Sequence, residues 1–394
     1  MAHPSPPNAQ PIRAGWARSA LVLDKDGPRA LERALEQTAE PSAPPTDLAL
    51  LFASASYAPD LPRLVRTAYR ESGASVLLGC SSQGVIGSGS EVEGQPALSL
   101  LRLALPGAAL HPARFTQSDL AAARAPDPTL NGWLLFADPF HLDAEALLAR
   151  LERAHPGIPI VGGMASGDFR AQRTFVFLDG EVYADGAVGV GLSGAARLRA
   201  VVSQGCTPIG QPWIVTAARN NVLERIGNRP AYEVLFETIR QLPPPLRARV
   251  RGNLLVGVAM DEYRDQLGRG DFLIRNVIGG DAERGLLAVG AAVQVGQTIQ
   301  FQLRDRDAAD EDLRALLADT AQALGPNPPL AALLCVCNGR GVGLFGAPHH
   351  DAAMLDAHFQ DLPVAGFFCN GEIGPVGGKL FLHGFTASIG LLTL

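Results

Sequence analysis

The residue pattern predicts an α/β (mixed α+β) fold: two related domains with mixed β-sheets flanked by helices, built from a strand, helix, strand, glycine-turn and hairpin unit repeated three times. Three observations predict it. The same order of apolar runs recurs along the chain. Each copy ends in a Gly-x4-Gly segment followed by further strands. Finally, 43 glycines and 30 prolines in 394 residues require many turns between short elements and leave little room for long helices.

Residues 1–15 are proline-rich and expected to be a disordered tail, ahead of a first domain over 16–211 and a second over 212–394. Ser19 to Leu23 reads as a strand, and Pro28 opens a helix with Ala30, Leu31, Ala34 and Leu35 on one face. The first copy begins with a strand from Asp47 to Phe52. A helix from Asp60-Leu61-Pro62 follows, with Leu61, Leu64, Val65 and Ala68 inward, and Ser75 to Leu78 then runs into Gly79-Cys-Ser-Ser-Gln-Gly84. The second copy has Trp133 to Phe136, a helix capped by Asp143 with Leu147, Leu148 and Leu151 inward, and Pro159 to Val161 leading into Gly162-Gly-Met-Ala-Ser-Gly167. The third has Leu330 to Val336, a helix from Asp351, and Pro363 to Phe368 overlapping Gly366-Phe-Phe-Cys-Asn-Gly371. After the first copy comes Ala97 to Leu103. After the second, Thr174 to Leu178 and Ala187 to Leu192 read as a pair joined through Asp179-Gly180, and after the third so do Lys379 to Phe385 and Ser388 to Leu392.

Between the second and third copies lies a different region, Pro212 to Arg306, with the domain boundary placed at Gln211-Pro212. Trp213 to Ala217 is its first strand, and Gly227-Asn228-Arg229-Pro230 starts a helix with Ala231, Val234, Leu235 and Thr238 inward. Strands are expected at Leu254 to Met260, Asp271 to Ile278, Leu286 to Val289 and Thr298 to Leu303, then a helix from Ala309 to Leu324.

A net charge of −6 without a Lys/Arg stripe argues against a nucleic-acid partner, and Arg247 to Arg251 reads as a solvated helix end. Five cysteines do not suggest a disulfide framework. The N-terminus lacks the apolar core of a secretory signal and no run is long enough to insert in a membrane, so a cytoplasmic protein is expected.

With these motifs in view, the chain resembles the FIST family of paired FIST N and FIST C domains. The N-terminal likeness rests on LLGCSSQGVIG (Leu77 to Gly87), PIVGGMAS (Pro159 to Ser166) and DGEVYADGAVGVGLSG (Asp179 to Gly194). The C-terminal likeness rests on PWIVTAARNNVLERIGNRPAYEVL (Pro212 to Leu235), DFLIRNVIGGD (Asp271 to Asp281), CNGRGVGLFG (Cys337 to Gly346) and FFCNGEIGPVGG (Phe367 to Gly378). The resemblance implies a bacterial sensory module of signal transduction that binds small molecules, amino acids among them, and passes its signal to a separate signalling protein. It also implies an alternative, a haem-binding nitric-oxide sensor.

The third copy carries the unusual residues. Cys337-Asn338-Gly339-Arg340-Gly341 and Cys369-Asn370-Gly371-Glu372 are where a ligand site is expected, the backbone N–H groups from Asn338 to Gly341 and of Gly371 binding an anionic group and Glu372 orienting it or taking an ammonium. Arg275, beside Asn276 on an alternating strand, or Arg340 would add charge. Buried guanidinium needs a partner, and for Arg275 that is either a ligand carboxylate or the protein's own Glu372 or Asp281. Cys335, Cys337 and Cys369 lack zinc-site spacing, so they are either buried structural thiols or, at Cys337 or Cys369, a thiol activated by its glycine turn. Gly341-Val-Gly343-Leu-Phe-Gly346 matches a dinucleotide fingerprint, but the helix is expected to start only near Asp351, too late for a pyrophosphate. Asp305 and Asp307 read as solvated turn residues. For haem, the candidate axial ligands are His349, His350, His358 and His383, the first two in an exposed loop. No catalytic motif occurs, and a hydrolase on Cys80, Ser81 or Ser82 is the enzymatic alternative. A ligand-free interaction scaffold is the other.

Overall fold

A computed structural model describes residues 15–121, 129–168 and 170–394. The expected tail therefore lies almost wholly outside the described residues.

The first unit contains β1 (Trp16–Leu23), α1 (Gly27–Thr38), β2 (Leu48–Ser54), α2 (Leu61–Ser72), β3 (Val76–Ser82), a hairpin of β4 (Gly84–Gly87) and β5 (Ser90–Glu93), and β6 (Ala97–Ala104). The second contains β7 (Ala108–Phe115), β8 (Gly132–Ala137), α3 (Ala144–Ala154), β9 (Ile160–Met164), a hairpin of β10 (Val176–Leu178) and β11 (Glu181–Tyr183), and β12 (Ala187–Gly194). The third opens with β13 (Arg197–Gln204) and is then interrupted. The inserted elements are β14 (Cys206–Arg219), β15 (Val222–Ile226), β16 (Arg229–Pro230), α4 (Ala231–Gln241), α5 (Pro244–Arg249), β17 (Leu254–Ala259), β18 (Phe272–Asp281), β19 (Leu286–Val289) and β20 (Thr298–Arg304). The unit resumes with α6 (Arg306–Leu324), β21 (Ala331–Cys337), α7 (Val342–Phe345), α8 (His350–His358), β22 (Val364–Cys369), a hairpin of β23 (Glu372–Val376) and β24 (Lys379–His383), and β25 (Thr386–Thr393).

The α/β expectation holds, and the helix faces read from spacing are the buried ones: Leu61, Leu64, Val65 and Ala68 on α2, Leu147, Leu148 and Leu151 on α3. Asp143 caps α3 by accepting the Ala146 N–H at 2.9 Å. Asp305, expected to be a solvated turn residue, caps α6 and pairs with Arg249. Gln211-Pro212 lies inside β14, at a register shift between Ile209 and Trp213. Proline has no N–H for the ladder there, so the strand bulges and continues.

Three six-stranded sheets share one plan. The orders β1-β6-β2-β3-β10-β11, β7-β12-β8-β9-β23-β24 and β13-β25-β21-β22-β4-β5 each place a parallel pair at the centre and end in a hairpin from a different unit. The first unit gives its hairpin to the third sheet, the third to the second, and the second to the first, which closes a ring. This corrects the expected pairings. Asp179-Gly180 turns β10 into β11, whereas Ala187 to Leu192 belongs to another sheet, and β24 and β25 likewise lie in separate sheets.

The Gly-x4-Gly segments are also not turns. Gly79, Gly162 and Gly366 sit inside β3, β9 and β22, and a Cβ there would lie 1.8, 1.8 and 1.9 Å from the carbonyl oxygens of Leu51, Leu135 and Leu334. Only glycine lets the second parallel strand press so close to the first. The next residues meet on the ring's axis. Phe52 stacks on Phe367 at 4.8 Å between centroids, and Phe136 meets both edge-on at 5.2 and 5.6 Å. The inserted strands form a fourth, seven-stranded sheet, with α4 buried against one face and Cys206, Leu255, Phe272 and Ile274 packed towards Phe385 on the other.

Gly366→Ala should cost on the order of 3 to 5 kcal/mol or prevent folding, because the atom its Cβ meets is backbone and cannot rotate away. Gly343→Ala, where the added atom meets nothing within 4 Å, should leave the urea midpoint nearly unchanged.

Candidate functional site

Because the parallel pairs all run towards the axis, their carboxyl ends gather there. Ser81 Oγ donates to the Ser166 carbonyl at 3.1 Å, Gln83 N–H donates to Ser166 Oγ at 2.8 Å, and Asn370 N–H to the Met164 carbonyl at 3.1 Å. Asn370 Nδ2 reaches the Ala165 carbonyl and its Oδ1 accepts from Asn338 Nδ2 at 2.8 Å. A polar seam, buried at Ser81 and Ser166 and open to solvent at Asn370, thus ties the three units together.

Beside this seam, where β3 crosses into β4 of the neighbouring sheet, lies a cavity of about 370 Å³. Ser54, Ser82 and Gln83 line one side, Glu93 and the Gly94-Gln95-Pro96 loop another, and Asn338 and Phe368 a third. This is the place where open α/β sheets bind ligands, outside the carboxyl ends of strands where the chain leaves the sheet. Ser54 Oγ is satisfied, since it donates to the Gln95 carbonyl and accepts the Ala97 N–H. Ser82 is different. It is fully buried and its hydroxyl has no hydrogen-bond partner. A buried hydroxyl without a partner costs about 1 to 3 kcal/mol, so an occupant that bonds to it is favoured. Among the described residues no base lies within hydrogen-bond reach of that hydroxyl, and Ser81 Oγ is occupied by the Phe175 N–H and the Ser166 carbonyl.

The residues singled out in the third copy sit elsewhere, apart from Asn338. Counting from Leu51 and Leu334 along the first strands, and from Gly79 and Gly366 along the second, Cys337 and Cys369 occupy the places of Ser54 and Ser82, and both pairs are in register. Their surroundings are closed. Asn338 N–H donates to the Cys369 carbonyl, Gly339 N–H points at Cys337 Sγ at 3.4 Å, and Arg340 N–H donates to the Cys337 carbonyl, so these amides are not free for an anion. Glu372 is buried, 3.3 Å from Cys369 Sγ, and accepts the Thr386 N–H. Burial pushes its carboxyl up to about 8. Burial also pushes the Cys337 thiol up to about 12 and raises Cys369. The activated-thiol expectation therefore fails, because the low dielectric and Glu372 outweigh the turn N–H.

Arg340 is fully buried, and its Nε and Nη2 grip Asp351 in a two-pronged pair at 2.8 and 2.7 Å. Burial alone would raise Asp351; the guanidinium overrides it and holds the carboxyl down at about 2. Nη1 has no partner and faces Gly205. Arg275 donates to the Ile274 and Leu382 carbonyls at 3.1 Å and pairs with Glu145 at 3.5 Å, so the expected partners Glu372 and Asp281 are both replaced. Asn276, next to it, is exposed on β18. Neither arginine reaches the cavity. Gly341, with φ of +58°, runs directly into α7, earlier than the expected helix start. That turn is occupied by Glu93, which accepts the Val342 N–H at 2.9 Å, and a carboxylate there repels a pyrophosphate.

The histidines do not assemble a haem site. His349 Nδ1 accepts the Glu91 N–H, His350 bonds Asp351 and Asp310 and stacks on Phe345 at 3.4 Å, and His358 Nδ1 bonds the Met354 carbonyl. His350 is half-buried at the start of α8, not in an exposed loop. His383 lies on a different sheet, bonded to the Gly374 carbonyl, and burial pushes it down to about 4. None of the four lines the cavity. Among the described residues no helix is long and apolar enough to cross a membrane, and no group of three or more His, Cys, Asp or Glu could hold a metal ion.

Residues 47–229 match the FIST N domain model, and residues 231–375 match the FIST C domain model. The chain belongs to the FIST family. FIST domains are sensory and signal-transduction domains. An uncharacterized protein of Mycobacterium tuberculosis is 39% identical over 348 residues, covering 87% of this chain and 90% of its own. An uncharacterized protein of Mycobacterium bovis is 39% identical over 319 residues, covering 80% and 82%. An F-box/LRR-repeat protein of Arabidopsis thaliana is 31% identical over 105 residues, 26% of this chain and 20% of its own. In this FIST chain the cavity draws on both family regions: Ser54, Ser82 and Glu93 come from the FIST N region, Asn338 and Phe368 from FIST C.

The buried charges make two measurable statements. Glu372 stays protonated up to about 8 in the folded chain, whereas an unfolded glutamate ionises near about 4.3. Between those values the folded state holds the extra proton, so stability falls as pH rises. Unfolding free energies from urea titrations should therefore drop more steeply for wild type than for Glu372→Gln between about pH 5 and pH 8, by roughly 2 to 4 kcal/mol in total. Arg340→Met, which strands Asp351, should cost about 3 to 5 kcal/mol by the same measurement.

Proposed function

We propose that this FIST chain senses a small amino-acid-like molecule bound in the cavity between Ser82, Glu93 and Asn338, and signals through a separate partner protein. The observation that carries the reading is Ser82, a residue of the cavity lining whose buried hydroxyl has no hydrogen-bond partner. Gln83 and Asn338 add side-chain amides, Gln95 and Pro96 a loop tied down by Ser54, and Phe368 an apolar floor. Such a wall suits a ligand with a few polar groups on a short apolar body. The anionic alternative is weaker, because Arg340 and Arg275 are engaged away from the cavity. Binding here would bridge the first and third units, so occupancy would stiffen the contact between the two family regions.

A thermal-shift screen against the twenty amino acids should give positive shifts for a small subset. Ser82→Ala should be as stable as wild type or slightly more so without ligand, because an unsatisfied group is removed, yet lose about tenfold in affinity. Uniform silence across the screen would favour a ligand-free scaffold.

A further inference from the structure

Glu93 has more to do in this cavity than close one wall. It is the one ionisable residue among those lining the cavity. Its carboxylate takes a single hydrogen bond, from the Val342 N–H, and forms no ion pair among the described residues. The approach that fixes it is tight. A Cβ on Gly341 would lie 2.4 Å from Glu93 Oε1 and 2.6 Å from Oε2, so the glycine exists there with the carboxylate pressed against its backbone. Among the described residues no cation is set against it: Arg304 donates to the Gly343 carbonyl, and Arg340 is held by Asp351. Glu91, two residues back on the same hairpin, is also acidic and buried, and it accepts the Ala352 N–H. The cavity lined by Ser82 is therefore also lined by a pinned carboxylate with no counter-charge among the described residues.

We infer that Glu93 determines which charge the cavity accepts: it receives the cationic nitrogen of the ligand, and it excludes molecules whose only charge is negative. The inference rests on the cavity being the ligand site proposed above. A primary or secondary ammonium supplies N–H donors to the free carboxylate lone pairs, and Ser82 is left to bond a polar group of the same ligand. A carboxylate-only ligand would bring like charges together in a partly enclosed space, where repulsion is poorly screened. Val342 also joins the site to α7, whose Phe345 stacks on His350, so the charge-reading residue touches the segment that leads to α8.

Three probes of one size separate charge from shape: L-alaninamide, L-lactamide and L-lactate, cationic, neutral and anionic at about pH 6. Titration calorimetry on the full chain should show wild type binding the cation at least about tenfold tighter than the neutral probe, and the anion not at all. Glu93→Gln keeps an oxygen for the Val342 N–H, so it should melt like wild type while bringing cation and neutral probe within about twofold. Wild type binding without charge preference, or preferring the anion, overturns the role of Glu93 alone. No probe binding, or binding that Ser82→Ala leaves untouched, overturns the cavity reading and this inference with it.

Discussion

Three glycine-to-carbonyl contacts hold the architecture in place. At Gly79, Gly162 and Gly366 the second parallel strand of each unit lies against a leucine carbonyl of the first, closer than any side chain permits. That contact lets the strand continue inward past its own sheet and enter the next one. Hairpin exchange follows, and so does the gathering of Phe52, Phe136 and Phe367 on the axis, where each unit supplies one ring. The cavity is a by-product of the same geometry. It opens where β3 leaves the first sheet for β4, and it is walled by the third unit because that is where the hairpin goes.

Much of this was legible in the residues. The three-fold repeat, the helix faces and the Asp143 cap came from spacing and capping chemistry alone, because those signals act over a few residues. The destination of each hairpin was not legible. Short strands after a glycine look the same whether they pair with their own unit or another, and only the tertiary partner decides. The site was half legible for a related reason. Cys337 and Cys369 stand in the register positions that matter, but in the copy whose interior is closed by Glu372. Ser54 and Ser82 hold those positions in the copy that is open. By type Ser82 draws notice only as a hydrolase candidate, and Ser54, at the end of β2, draws none. Alignment of the three Gly-x4-Gly segments against one another, Ser82 over Cys369, is the signal that would have pointed to them.

The third unit shows what its conspicuous residues are for. Arg340 and Asp351 are buried as a pair, with His350 and Asp310 extending it, and the group locks α8 and α6 onto the end of β21. Pairs of this kind add little net stability compared with apolar packing, but removing one partner leaves an uncompensated charge. Their value lies in orientation. They fix the turn containing Asn338 and Gly341, which in turn presents Asn338 to the cavity and the Val342 N–H to Glu93.

The exchanged hairpins also set an order of events during synthesis. The first sheet needs nothing beyond Tyr183, so it can close while the chain is still on the ribosome. The second and third sheets both wait for strands after Ala331, the last of them β25 at Thr386–Thr393. Until those residues emerge, β4 and β5 hang as an unpaired hairpin and β9 keeps a bare edge, with more than half of the sequence already made. Such edges are templates for pairing with the wrong chain. A nascent chain of this topology thus carries open sheet edges for most of its translation.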